Sequence, residues 1–209
     1  MEITYFGHSC FLVDIGGYRL LFDPFITPNQ LASSIDINSI ETDYILLSHG
    51  HNDHVFDAEA IAKRTGATII SSFEIATWYE KKGIEKTHAM NIGGKWPFDF
   101  GTVHMVHAIH SNSLPDGSYG GSAAGFVIES AEKTFYYAGD TALTYDMKMI
   151  GEKFKLDFAM LPVGDNFTMD IYDAVRAASF VNTKKIIPMH YDTFPYIVVD
   201  PMEMTVVAA

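Results

Sequence analysis

Ser48-His49-Gly50-His51-Asn52-Asp53-His54 is the stretch on which the reading of this chain turns. It follows the apolar run 44–47 directly. A buried strand ending in such a segment is a rigid platform with turn freedom at its tip. Neutral imidazole and carboxylate are ligands for borderline metals such as zinc. His49 and His51 are two apart, so in an extended loop their rings converge on one ion. Asp53 and His54 follow one turn later, within reach of a second ion. Gly50 is expected to permit the tight backbone that this requires. A lone histidine is more often structural than a ligand. The joint pattern is different, because H-x-H-x-D-H arises by chance only about 10⁻³ times in a chain of this composition.

Four donors from one loop cannot saturate two metals, so other strand ends must contribute. His110 is expected to close a strand over 102–109 and to precede a Ser/Gly-rich loop. Asp140 stands in Tyr137-Ala138-Gly139-Asp140-Thr141, and His190 in Pro188-Met189-His190-Tyr191, each after an expected strand. Taken alone, Asp140 reads equally well as a helix N-cap, since Thr141 and a helical stretch follow. His110 and His190 read equally as satisfied polar residues at strand termini.

Around this constellation the chain is ordinary globular protein. It has 209 residues, 48% of them hydrophobic and 19% charged, which excludes disorder by composition. A single domain spanning 1–209 is expected, since nothing reads as a linker. Alternation and β-rich content predict strands over 2–6, 10–15, 18–22, 44–48, 67–71, 102–109, 124–129, 134–137, 158–163 and 185–189. Helices are predicted over 58–64, 74–82, 145–154 and 170–181. Strands come first and alternate with helices later in each half, which predicts two sheets face to face with helices outside. Two long loops, 24–42 and 111–122, are placed to form the rim of a site.

The net charge of −12 disfavours a polynucleotide partner, which wants basic patches. Cys10 is the one cysteine, so no intrachain disulfide forms and a reducing, cytoplasmic setting is expected. The N-terminal residues show no secretory pattern, and no apolar run approaches the ~18 residues of a membrane span. Homo-oligomerisation is left open.

The ordered set of H-x-H-x-D-H, a lone histidine, a Gly-Asp strand end and a late histidine resembles the metallo-β-lactamase superfamily. Tyr5-Phe6-Gly7-His8-Ser9-Cys10-Phe11, Phe22-Asp23-Pro24-Phe25, Ala138-Gly139-Asp140-Thr141, Phe167-Thr168-Met169 and Pro188-Met189-His190-Tyr191-Asp192-Thr193-Phe194-Pro195 are similar to its metal-dependent hydrolase branch of the UPF0173 kind. The resemblance runs from about residue 2 to about residue 201. It implies an α/β fold, a four-layer αββα sandwich, with the site at one end of both sheets. It implies two divalent metal ions, zinc in first place with manganese, iron or nickel also admitted. His49, His51 and His110 would hold one ion, Asp53, His54 and His190 the other, and Asp140 would bridge them.

The resemblance also implies a binuclear hydrolase acting on an ester-like bond (lactone, phosphodiester or similar) in a small substrate. A metal-bridging hydroxide would be the nucleophile, and Asp53 or Asp140 would accept or deliver its proton. Two divalent ions, two carboxylates and a hydroxide leave roughly one net positive charge, which favours a polarised or anionic group. His8 is expected either to support a ligand from behind or to touch substrate, with packing as the open alternative. Tyr119, Tyr191 and Phe194 are candidates to line the pocket.

Relatives carry a second glycine where this chain has Asp165, which is expected to put an extra carboxylate near the rim, and they continue past Asp200-Pro201. His104 and His107 read as structural on opposite faces of one strand, with His104 about 20 Å back from His110. His88 is expected to be exposed, and Cys10 to be a small core residue. Two other classes share the fold. A di-iron oxidoreductase would show glutamate at the position of His51 and a flavin domain, and a non-catalytic metal-binding domain would have lost ligands.

Overall fold

The chain closes two six-stranded sheets over one another with helices on both outer faces, an αββα sandwich. The computed structural model describes residues 1–207. The first sheet runs in the order β1 (Glu2–Gly7), β2 (Cys10–Ile15), β3 (Tyr18–Phe22), β4 (Tyr44–Leu46), β5 (Thr68–Ser72) and β6 (Thr87–Met90). The second runs from β12 (Ile186–Met189) through β11 (Phe158–Pro162), β10 (Thr134–Tyr137), β9 (Ala124–Glu129) and β8 (Gly101–His107) to β7 (Lys95–Phe98). The helices are α1 (Asn52–Val55), α2 (Ala58–Thr65), α3 (Phe73–Lys81), α4 (Asp146–Lys153), α5 (Ile171–Phe180) and α6 (Pro201–Val207).

Side-chain alternation builds the layers. Phe11, Val13, Ile15, Leu20, Phe22 and Leu46 of the first sheet pack into the space between the sheets, against Phe126, Phe135 and Tyr137. Their neighbours Cys10, Leu21, Ile45, Leu47 and Ile69 point the other way, onto Ile61 and Ala62 of α2 and Ile75 and Tyr79 of α3. Successive side chains on a strand face opposite sides, and strands covered on both faces read as continuous apolar runs. Helices α4 and α5 cover the second sheet in the same way with Met147, Ile150, Ala174 and Ala177.

Strand direction positions the site. In the first sheet β3, β4, β5 and β6 are parallel, and β1 shares their direction because β2 is antiparallel to both β1 and β3. In the second, β8, β10, β11 and β12 share one direction. The two sets of carboxyl ends meet at one edge of the sandwich. There the His190 N–H donates to the His8 carbonyl (2.7 Å) and the Ala124 N–H to the Ser48 carbonyl (3.0 Å), joining the sheets directly. Ligands of open α/β sheets bind beyond strand carboxyl ends for the same topological reason.

Several expectations are corrected. Asp53 and His54 lie on α1, a single turn that sequence periodicity cannot register, pinned by the buried Val55. The edge strands β6 and β7 and the helix α6 add to the elements that the pattern predicts. β8 ends at His107, so His110 stands three residues beyond the strand. Asp140 caps no helix, since α4 begins at Asp146. His88 is half-buried, its ring 5.1 Å from that of Trp96 and 4.9 Å from that of Phe98. His104 and His107, expected on opposite faces, both reach the α4 region, the first through Phe154 (rings 4.7 Å apart) and the second through Asp146. His104 is buried and 3.1 Å from Glu129, whereas His107 is exposed and 2.9 Å from Asp146.

Candidate metal centre

Each site residue follows the carboxyl end of a strand in the shared direction. His8 follows β1, Asp23 β3, His49 β4, His110 β8, Asp140 β10 and His190 β12. Gly139, at φ +61, takes the chain into Asp140. A Cβ there would stand 2.7 Å from both the Ala124 carbonyl oxygen and Ser48 Cβ, so glycine is required. Gly50 is needed for a different reason from the one expected. Its φ is not positive, but a Cβ would stand 2.9 Å from the Ser113 carbonyl oxygen. The Gly50 N–H donates to Asn112 Oδ1 (2.7 Å), seating the loop 111–122 against the histidine loop.

The seven residues expected as ligands come together as two groups around one carboxylate oxygen. In the first group, donor atoms of His49, His51 and His110 lie within 4.8 Å of one another. His49 Nε2 is 3.1 Å from His51 Nδ1. Nitrogens about 2.0–2.1 Å from a tetrahedral zinc are separated by a similar edge. In the second, donor atoms of Asp53, His54, His190 and also His8 lie within 4.8 Å of one another. Asp140 Oδ2 stands between the groups, 3.3 Å from His54 Nε2, 2.9 Å from His190 Nε2 and 3.6 Å from His110 Nε2.

The hydrogen bonds fix which ring nitrogens carry lone pairs. Ser48 Oγ has one proton and donates it to Asp23 Oδ2 (2.5 Å), so it accepts from His49 Nδ1 (2.9 Å). His49 Nε2 is therefore the lone-pair atom, and it points at the first group. Likewise His54 Nδ1 donates to Asp23 Oδ2 (2.8 Å), leaving Nε2 for the second group. Asp23 stands in one of the family-like motifs, yet its sequence context assigns it no role. It is fully buried and also holds the Ser48 N–H (2.8 Å) and the Tyr137 hydroxyl (2.7 Å). Carboxylates behind metal-binding imidazoles fix tautomer and orientation in this way. A second buried carboxylate, Asp57, fastens the loop after Asp23 through the Ile26 and Thr27 N–H groups (2.7 and 2.9 Å).

His8 lies wholly out of solvent, with Nε2 3.1 Å from Asp53 Oδ2 and Nδ1 3.0 Å from Thr193 Oγ1. Burial lowers its pKa to about 4, against a smaller opposing pull from the Asp53 hydrogen bond. The ring donates from Nε2 to the Asp53 carboxylate, so His8 orients Asp53 from behind, while Thr193 Oγ1 at its other nitrogen also reaches the Tyr191 carbonyl (3.2 Å).

The electrostatics suit cations. Burial pushes the pKa of His49 well down, and lowers those of His51 and His110, which keeps their lone pairs free. Burial also opposes charge on Asp53, but His54 and the hydrogen bond from His8 outweigh it and hold the carboxyl low. Burial opposes charge on Asp140 too, and there His190 and His54 prevail. For His54, burial is outweighed by Asp140 and Asp53, so its pKa rises. His54 Nε2 and Asp140 Oδ1 are buried with no hydrogen-bond partner. Buried polar atoms are nearly always satisfied, so these two unpaired atoms fit residues that hold a cation.

A cleft of about 330 Å³ opens over this centre. His51, Asp53, His110, Asp140 and His190 form its floor, and Ser111, Phe167 and Phe194 its sides. Tyr119 and Tyr191, expected there, are not among the lining residues. Tyr119 is exposed elsewhere and Tyr191 stacks on Tyr5. Asp165 lies instead in a separate groove with Asp170 and Glu203.

A two-sheet sandwich with histidines and aspartates gathered at its strand ends defines the metallo-β-lactamase class. The sequence profile of the Beta-lactamase superfamily domain matches residues 2–190. The chain belongs to that superfamily, within the UPF0173 metal-dependent hydrolases. It is 57% identical over 204 residues to the UPF0173 metal-dependent hydrolase of Christiangramia forsetii, covering 97% of this chain and 90% of that one. The corresponding Flavobacterium johnsoniae protein is 54% identical over 203 residues with the same coverage. Among solved structures, the metallo hydrolase Igni18 of Ignicoccus hospitalis is 37% identical with a TM-score of 0.87, covering 97% of this chain and 87% of that one. Among the described residues no helix is long and apolar enough to cross a membrane.

Proposed function

We propose that this metal-dependent hydrolase holds two divalent cations and hydrolyses an ester-like bond in a small substrate. His49, His51 and His110 would hold one cation, Asp53, His54 and His190 the other, with Asp140 shared. The observation that carries the reading is the position of Asp140 Oδ2, within 3.6 Å of histidines from both groups. Zinc is the cation proposed, since three neutral imidazoles suit it. Bound cations supply Lewis-acid polarisation of the substrate oxygen and acidify water.

The chain's own groups do the rest. His49 and His54 are held in one tautomer by Ser48 and Asp23, so the site needs no reorganisation before it binds. Asp53 is 28% exposed and Asp140 only 3%, so Asp53 is the carboxylate placed to take a proton from water and pass it to the leaving group. Ser111, 3.4 Å from His51 Nε2, offers a hydroxyl at the cleft wall.

Elemental analysis after zinc loading is expected to give two ions per chain, together with turnover in a panel of lactones, phosphodiesters and carboxylic esters. Asp140→Ala is expected to abolish turnover and tight retention of the second ion. A fully active, fully loaded Asp140→Ala variant would overturn the scheme.

A further inference from the structure

Phe167 is half-exposed above the cleft on a turn with unusual backbone. Asp165 and Asn166 precede it at φ +58 and +50, two consecutive non-glycine residues in the left-handed region. Each left-handed residue costs roughly 1–2 kcal/mol, less for Asp and Asn, and such conformations gather at functional sites. The turn is fixed to the metal centre, since the Met169 N–H donates to the carbonyl of Thr141, the residue after Asp140 (3.1 Å). Met169 itself is buried. Phe56 and Phe73 are exposed as well, but Phe167 is the exposed phenylalanine that lines the cleft.

Two further rings continue the surface. Phe194 is half-buried, 6.1 Å from Phe25 and 5.5 Å from His8, and lines the same cleft. Tyr196 lies outside it, its ring 6.4 Å from that of Phe167. Charge points the same way. Among the described residues lining the cleft there is no lysine or arginine to meet a phosphate away from the reacting bond. The net charge of −12 also opposes the approach of polyanions. The volume of about 330 Å³ sits at the small end of ligand pockets, which run about 300–1,000 Å³.

We infer that the cleft selects compact, uncharged carboxylic esters bearing an aromatic or similarly flat apolar group, held between Phe167 and Phe194. The inference rests on the proposed hydrolytic activity and names its substrate class. Water adds to the carbonyl carbon, and the bond from that carbon to the alcohol oxygen breaks. The departing oxygen takes a proton from the water, giving an acid and an alcohol with no oxidant or reductant.

The test compares kcat/KM of the zinc-loaded protein for methyl phenylacetate, methyl acetate and the same ester with a phosphate in place of the phenyl ring. The phenyl ester is expected to exceed the methyl one by about tenfold or more, the scale on which apolar pockets discriminate. In Phe167→Ala that ratio falls to about threefold or less, and Phe167→Leu keeps part of it. Equal rates for the two esters, preference for the phosphate, or an unchanged ratio in both variants would overturn the inference. A second arm separates it from the hydrolytic reading. Turnover of lactones or phosphodiesters but of no carboxylic ester would overturn the inference alone; if nothing in either set turns over, the hydrolytic reading fails, and calorimetry with phenylacetate and acetate then decides whether the apolar pocket stands. Phenylacetate binding about tenfold tighter, through Phe167, keeps the aromatic pocket. Equal binding removes it.

Discussion

The two donor groups that flank Asp140 differ in how they are held. His49, His51 and His110 form an all-imidazole set, and two of its three members, His51 and His110, are only partly buried. Asp53, His54 and His190 combine imidazole with carboxylate and are backed by a chain of buried partners. Thr193 reaches His8, His8 reaches Asp53, and Asp23 holds His54. The first group is shaped mainly by loop packing and the second mainly by hydrogen bonds. Asp23 supports both, through Ser48 to His49 and directly to His54. For the two ions proposed above, the contrast predicts a second that resists exchange and a first that depends on how loop 111–122 is seated.

Three substitutions test this contrast. Asp23→Asn carries the largest expected effect. Its amide turns at least one accepting oxygen into a donor facing donors, an unsatisfied buried group costing about 1–3 kcal/mol. Both ions should be retained roughly 10–100-fold less tightly, the usual effect of losing a supporting partner. Competitive chelator titration measures this, and loss confined to one ion would refute the shared support. His8→Ala comes next. It should weaken only the second ion, by about tenfold, with the first unmoved in the same titration. Parallel weakening of both would dissolve the distinction between the groups. Gly50→Ala is the smallest. Its Cβ meets the Ser113 carbonyl, so it should cost about 1–3 kcal/mol in thermal or denaturant unfolding and loosen the first ion alone. An unchanged melting temperature would show that the loop yields freely.

The parts legible in the sequence are those whose signal is local. Buried strands such as β3 and β9 announce themselves by apolar continuity, and the donors around His49 by their spacing. What escapes is set at a distance. Asp23 takes its role from Ser48, His54 and Tyr137, the last 114 residues away. β6 and β7 are four-residue edge strands, and β7 is largely exposed and interrupted by Pro97, so no alternation marks them. Missing them also misplaces His88, whose shelter is the pair of rings on β7. Asp165 reads as a rim carboxylate because sequence adjacency to Phe167 hides the turn. Its left-handed backbone sends the two side chains to different grooves.

The common heading of the donor-bearing strands has a consequence for how such a molecule changes over time. His49 and Asp140 leave from the buried strands β4 and β10, where a one-residue slip would turn buried side chains outward. Phe167 and Tyr196 belong to turns with no strand register to keep, although the Met169 N–H ties the first of them to Thr141. Drift in those turns can retune what the cleft accepts while the cation seats stay as they are.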